Sequence, residues 1–143
     1  MIYTDQTEKA LKLCYEAHKD QTDKVGLPYV FHPFHLAEQM PDEASVTAAL
    51  LHDVVEDTDY TIEDLEQMGF SPEVLEAVSL LTHDPAVPYE EYLIPIKANP
   101  IARRVKLADL THNSDPHRGR KIAHKLTHHW EKYQKAIRFL SAP

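Results

Sequence analysis

Residues 50–58 read LLHDVVEDT: a histidine and an aspartate side by side in an apolar run, with a second acidic pair following at Glu56 and Asp57. On a helix, residues four apart share a face, so His52 lies over Glu56 and Asp53 over Asp57. Successive residues are about 100° apart around the axis, which lets His52 and Asp53 reach one point beside the helix from two sides. Leu50, Leu51, Val54 and Val55 mark the segment as buried, and a buried carboxylate without a partner is costly. A bound cation compensates that cost, as does a network of bases. Imidazole with carboxylate suits Mn, Fe, Zn or a Mg-like divalent ion. The simpler alternative has His52 capping a neighbour and the acids forming a solvated face; the apolar flanks and the doubled acidic pair weigh against it.

Two further stretches carry what such a site still lacks. GLPYVFHPF places His32 just before a proline-started helix, and VKLADLTHN places Asp109 in an apolar run with Asn113 one helical turn later. Singly, His32 reads as a surface or capping residue and Asp109 as a partner of Arg103 or Lys106. Jointly the three stretches form a series of His, then His-Asp, then Asp. The chain holds ten histidines in 143 residues, a count that directs attention to metal chemistry.

His32, the pair His52-Asp53 and Asp109 resemble the H…HD…D signature of the HD-domain metal-dependent phosphohydrolases. Within that superfamily, GLPYVFHP, ALLHDVVEDTDYTIEDL and RRVKLADLTHN look like the hydrolase domain of the RelA/SpoT alarmone enzymes and their stand-alone small relatives. The resemblance spans residues 5–115 or so. It implies an α-helical domain in which His32, His52, Asp53 and Asp109 bind one divalent cation, usually Mn²⁺ in this branch. It further implies hydrolysis of the 3′-pyrophosphate from guanosine tetra- or pentaphosphate. Glu56 and Asp57 then belong to the catalytic apparatus, and Asn113 lies near the nucleotide sugar and the reacting phosphate.

The implied chemistry is physically coherent. A divalent ion lowers the pKa of its bound water and takes up charge on phosphoryl oxygens as the P–O bond breaks. Glu56 would orient that water or shuttle its proton; Asp57 would share the role or steady the ligands. An anionic phosphate approaching these acids needs cations, for which Lys24, Lys106, Arg103 and Arg104 are candidates; Lys24, Lys106 and Asn113 make up the expected substrate-binding set. The resemblance departs at the base. Alarmone hydrolases carry an arginine shortly before G-x-P-Y, packed on the guanine, whereas KDQTDKVGLPY has Asp23 there with Lys24 beside it. Lysine offers a cation–π contact without arginine's planar stacking. Leu110 likewise replaces a basic residue found in many alarmone enzymes. Two other readings stand beside the alarmone one: an HD hydrolase of another nucleotide or phosphorylated metabolite, and an HD module that binds a nucleotide or partner without turnover. Retention of Glu56 and Asp57 argues against the last.

The elements that must position these residues are helical throughout. Apolar spacing predicts helices near 5–19, 33–40, 43–56, 61–67, 72–82, 89–98, 100–113 and 120–140. Ten prolines against three glycines fall where first turns would begin. Ser71 and Asn99 are expected N-caps, and Thr61 with Asp64 an expected capping box. The fold class is all-α, a bundle of the HD type forming one domain over 1–143, too short for a second, synthetase domain. In the last helix Ile122, Leu126, Trp130, Tyr133, Ile137 and Leu140 recur at helical steps, more apolar surface than one small domain buries; a homodimer would cover it. Trp130 and Tyr133 are assigned to core or self-association rather than to a stacking platform, and Cys14 to the core. His124 and His128, four apart, form a weaker chelating pair. His35, His83 and His117 are read as polar or capping residues, and His112 as a neighbour of Asn113.

A net charge of −8 argues against binding a nucleic-acid backbone, though not against a small anionic substrate. One cysteine permits neither an internal disulfide nor a thiolate cluster. No secretory leader and no membrane-length apolar run are expected, and the expected setting is cytoplasmic.

Overall fold

Prolines, caps and apolar spacing delimit nine helices among the described residues: α1 Asp5–His18, α2 Phe31–Glu38, α3 Glu43–Leu51, α4 Val54–Asp57, α5 Ile62–Gln67, α6 Pro72–Leu81, α7 Tyr89–Ala98, α8 Pro100–Asn113 and α9 Ala123–Ser141. The computed structural model describes residues 1–120 and 123–143, with side chains for all of these but 123–128. Ile122, Leu126 and the pair His124 and His128 therefore lie outside the described side chains.

Local signals act largely as expected. Asn99 Oδ1 accepts from Ala102 N at 3.0 Å. Thr61 and Asp64 close a reciprocal capping box, at 3.1 and 2.9 Å. Ser71 stands at the N-cap of α6, but its buried hydroxyl makes no hydrogen bond; its N–H is held instead by Gln6 Oε1 at 2.9 Å.

The main departure concerns 43–56, which is not one helix. α3 ends at Leu51, and the chain turns at His52 and Asp53 before the single turn α4. Asp53 takes φ −108° and ψ 0°, the bridge region where turn and active-site residues sit. The turn releases Glu56 and Asp57 from the core, so both are exposed rather than buried. His32 also differs, lying inside the first turn of α2 because Val30 and Tyr29 already accept helical bonds from Phe34 and His32. Before α2 the chain forms an isolated bridge between Thr22 and Pro28. Gly26 closes the loop between them at φ +87°, where a side chain would be strained.

α3 is the axis of the fold. Every residue from Ser45 to Leu51 is buried, against α1, α2, α6 and α8. α8 turns Ala102, Val105, Asp109 and Leu110 inward, a spacing of three, four and one that puts Asp109 on the apolar face. α9 packs on α7 and α8 through buried Ala136 and Leu140. Cys14 is fully enclosed, its thiol pushed up to about 12 by burial and then by Asp53. No helix among the described residues is long and apolar enough to cross a membrane.

Candidate metal centre and its adjoining cleft

Three helices and one turn converge on a point. α2 brings His32, the end of α3 brings His52, the turn brings Asp53 and α8 brings Asp109. One ligand atom from each of His32, His52 and Asp109 lies within 4.8 Å of the others. His32 Nε2 stands 2.8 Å from Asp109 Oδ1. His52 Nε2 stands 3.1 Å from Asp53 Oδ2 and 3.6 Å from Asp109 Oδ1.

His52 supplies the test of what the cluster is built for. Its Nδ1 lies 2.7 Å from the Ala49 carbonyl, so Nδ1 carries the proton and donates. Nε2 then presents a lone pair between two carboxylates, buried and without a hydrogen bond. Such an atom is costly unless a proton or a cation fills the gap. In the metal-free chain the proton does so: burial opposes it, but Asp53 and Asp109 raise His52 well above the ordinary histidine value. Two imidazoles and two carboxylates also make a donor set that fits a divalent metal ion.

The surrounding residues fix the orientation of these four side chains. Asp109 Oδ1 accepts from Asn113 Nδ2 at 3.0 Å, and Oδ2 from Lys106 Nζ at 3.1 Å. Burial opposes its ionisation, yet Lys106, His32 and His52 hold it well below the usual carboxylate range. Asp53 Oδ2 accepts a short hydrogen bond from Tyr29 Oη, and burial followed by the Asp53 charge keeps that phenol protonated far above its usual range. His32 Nδ1 faces His112 Nδ1 at 2.7 Å. Burial and then Arg118 push His112 down to about 3, so it is neutral and selects the His32 tautomer by donating or accepting. Such partners are worth 10–100-fold in metal affinity. His112→Ala should therefore weaken binding by about that factor without unfolding the chain, as a metal-chelator competition titration would show.

Glu56 and Asp57 sit at the mouth of this centre. Their carboxylates and that of Asp53 lie within 4.8 Å of one another. Glu56 Oε1 accepts from His83 N at 2.6 Å, tying the loop before α7 to the site. Burial, then Asp53 and Glu56, raise Asp57 to about 6. All three acids line a cleft of about 220 Å³ with Tyr89, Lys106 and Lys132. Asn113 and Tyr133 line both this cleft and a larger one of about 510 Å³. The larger is walled by Asp23, Lys24, Arg118 and Trp130 among others.

The expected substrate residues thus divide. Asn113 joins both compartments. Lys24 lines the outer one, and Lys106 is committed to Asp109. Arg103 and Arg104 are elsewhere, bonded to the Ala142 carbonyl at 3.2 Å and near Asp42 at 3.7 Å. Trp130, placed in the core or a self-association face by its apolar spacing, stands 49% exposed in the cleft wall, because α9 buries a face one step around from it. Tyr29, His83, Arg118 and Lys132 had no signal in spacing; they arrive from loops or from α9. His112 had one, three residues beyond Asp109 on the same helix.

The HD domain family matches residues 10–87, and the human guanosine-3′,5′-bis(diphosphate) 3′-pyrophosphohydrolase MESH1 is 35% identical over 121 residues, 76% of this chain and 67% of that one. The chain belongs to the HD-domain family. That makes it a member of a family of metal-dependent phosphohydrolases. It is also 36% identical over 119 residues to the bifunctional (p)ppGpp synthase/hydrolase SpoT of Escherichia coli, covering 73% of this chain and 17% of that length. A solved structure of a metazoan SpoT orthologue that hydrolyses ppGpp superposes with a TM-score of 0.66 at 30% identity, covering 81% of this chain and 72% of the other.

The HD centre makes stability depend on pH. Raised pKa values on His52 and Asp57 mean that the folded chain holds protons the unfolded chain has released. Their contribution is complete below the unfolded values and lost as pH rises through the folded ones. The contribution of these two groups therefore falls as pH rises from about 4 through 6 and beyond, whereas His32 and His112, held below the ordinary histidine value, contribute in the opposite direction. A metal held by His52 would displace that proton, so its stabilisation would grow with pH. Melting curves of chelator-treated and metal-loaded protein between pH 5 and 8 should show a widening gap; a constant gap would refute the assignment of that proton.

Proposed function

We propose that this chain is a metal-dependent pyrophosphohydrolase that removes the 3′-pyrophosphate from guanosine tetra- or pentaphosphate, with His32, His52, Asp53 and Asp109 as the ligands of one divalent ion, Mn²⁺ in the first instance. The observation that carries the reading is His52 Nε2, buried without a hydrogen bond between the Asp53 and Asp109 carboxylates, both of which line the cleft. When bound, the ion acidifies a water and neutralises charge on the phosphoryl oxygens.

The chain's own residues do the rest. Glu56, with Oε1 held by His83 N, keeps Oε2 for a water and takes its proton as the water attacks phosphorus. The P–O bond to the 3′-oxygen breaks with its electron pair going to that oxygen, which then takes a proton from solvent. Asp57, raised to about 6, is suited to exchanging a proton near neutrality. Asn113, with Nδ2 on Asp109 and Oδ1 accepting from Arg118 at 2.8 Å, holds the wall between metal and sugar. The outer cleft is of nucleotide size, and a guanidinium is present in it after all. Arg118 Nη2 lies 3.8 Å from Asp23 Oδ2, so an arginine from beyond α8 stands beside the acid that occupies the usual arginine position.

The test is pyrophosphate release by Mn²⁺-loaded protein from guanosine tetraphosphate, beside a panel of nucleotides, with Asp53→Ala as control. Release that vanishes in the variant supports the proposal. Activity confined to other phosphate esters would retain the hydrolase and discard the alarmone. That second reading is favoured by one observation, Asp23 at the base-recognition position. Silence across the panel with metal bound would favour a binding module.

A further inference from the structure

The metal cleft presents Asp53, Glu56, Asp57 and Asp109 to a substrate that is itself an anion. Among the described residues two lysines line it, Lys106 and Lys132. Lys106 is not available: its ammonium is fixed on Asp109 Oδ2 at 3.1 Å, and turning it outward would strand a buried carboxylate. Lys132 differs. It is exposed on α9, and its Nζ sits 4.1 Å from the centroid of the Tyr89 ring. Among the described residues no carboxylate ion-pairs with it, whereas Lys135, three residues further along α9, is bonded to Glu90 at 2.9 Å. Tyr89 also has Lys106 Nζ on it at 6.0 Å, so the ring spaces two ammonium groups across the cleft.

We propose that Lys132 is a catalytic residue of this site, binding the oxygens of the phosphoryl or pyrophosphoryl group that occupies the metal cleft, and that Tyr89 is its positioning residue. The proposal rests on the phosphohydrolase reading above, though not on guanosine tetraphosphate as substrate. A cation over a ring face is attracted without being neutralised, and an ammonium engaged in this way still has N–H donors for oxygen. The ring therefore holds the charge at the rim without consuming it, which a carboxylate partner would do. A charge placed here balances acids that the ion and Lys106 leave uncompensated, and it is supplied by the C-terminal helix rather than by the metal-binding stretches.

Pyrophosphate and inorganic phosphate binding to metal-loaded protein, measured by calorimetry, test this without any turnover. Lys132→Met should weaken pyrophosphate about 10- to 100-fold, with metal content and melting temperature unchanged. Lys132→Arg should recover most of the loss, and Lys135→Met should bind as the parent does. Tyr89→Phe should be silent, and Tyr89→Leu should weaken binding by a smaller factor than Lys132→Met. Undiminished pyrophosphate binding in Lys132→Met overturns the proposal, as does a parent protein that holds metal but binds neither anion. Failure to cleave guanosine tetraphosphate, with pyrophosphate binding intact and dependent on Lys132, counts against that substrate and leaves Lys132 standing.

Discussion

Glu56→Gln should lower pyrophosphate release by about 10²–10⁴-fold, the range for a positioned general base, while the protein keeps its fold and its metal. Glu56 is exposed, and its structural duty is to accept from His83 N through Oε1 at 2.6 Å. Glutamine keeps that acceptor and nearly the same shape. What it loses is the charge and the ability to take a proton. Surface substitutions of this kind change stability by about 0.5 kcal/mol or less, so lost activity cannot be put down to lost fold. Single-turnover release and metal content, measured on the same preparation, decide the matter. Full activity in the variant would transfer the base to Asp57, whose carboxyl is already raised to about 6. Loss of the ion would instead make Glu56 a ligand.

The cluster of His32, His52, Asp53 and Asp109 was legible because each sits in a short, distinctive stretch, and Asp109 lies in a helix with strong local signals. Pro100 after Asn99 starts α8 and so fixes the register that turns Asp109 toward α3. The break at His52 and Asp53 was not legible. Apolar residues continue through it, and the side chain that bonds to Asp53 at the turn, Tyr29, is far away in sequence. The consequence of the turn is functional: on a continuous helix Glu56 and Asp57 would share the burial of the ligands, whereas the turn sets them at the mouth, in reach of a substrate. The base-recognition side was hidden for a similar reason. Asp23 looks like a missing arginine until Arg118, from the segment beyond α8, is seen paired with it. Asp23 Oδ1 meanwhile holds Val25 N at 3.0 Å and Leu27 N at 2.9 Å, so the carboxylate shapes the loop and anchors the guanidinium at once. Local spacing cannot disclose contacts of that sequence range.

Asp109→Ala should be the most damaging single change to the fold as well as to the site, whereas Asp53→Ala should mainly cost the metal. Both are expected ligands, but their neighbours differ. Asp53 lies in a turn at the cleft, where water can replace its oxygens. Asp109 is 6% exposed and faces Lys106, whose side chain is 14% exposed. Burial opposes the Lys106 charge, and Asp109 with the Tyr92 and Tyr89 rings holds it well above the usual lysine range. Removing Asp109 leaves that largely buried ammonium without its carboxylate partner, against the Tyr92 and Tyr89 rings. Breaking a buried pair by deleting one partner costs about 3–5 kcal/mol. For a domain of this size that corresponds to a fall of roughly 10 °C in melting temperature. The comparison belongs in metal-free protein, so that lost ion binding does not contribute. Adding Lys106→Met to Asp109→Ala should then restore part of the stability, since the stranded charge goes with the lysine, but neither the metal nor the activity. If the double variant melts no higher than Asp109→Ala alone, the ammonium was never the source of the loss, and the destabilisation comes from His32, His52 and Asn113 losing their shared acceptor.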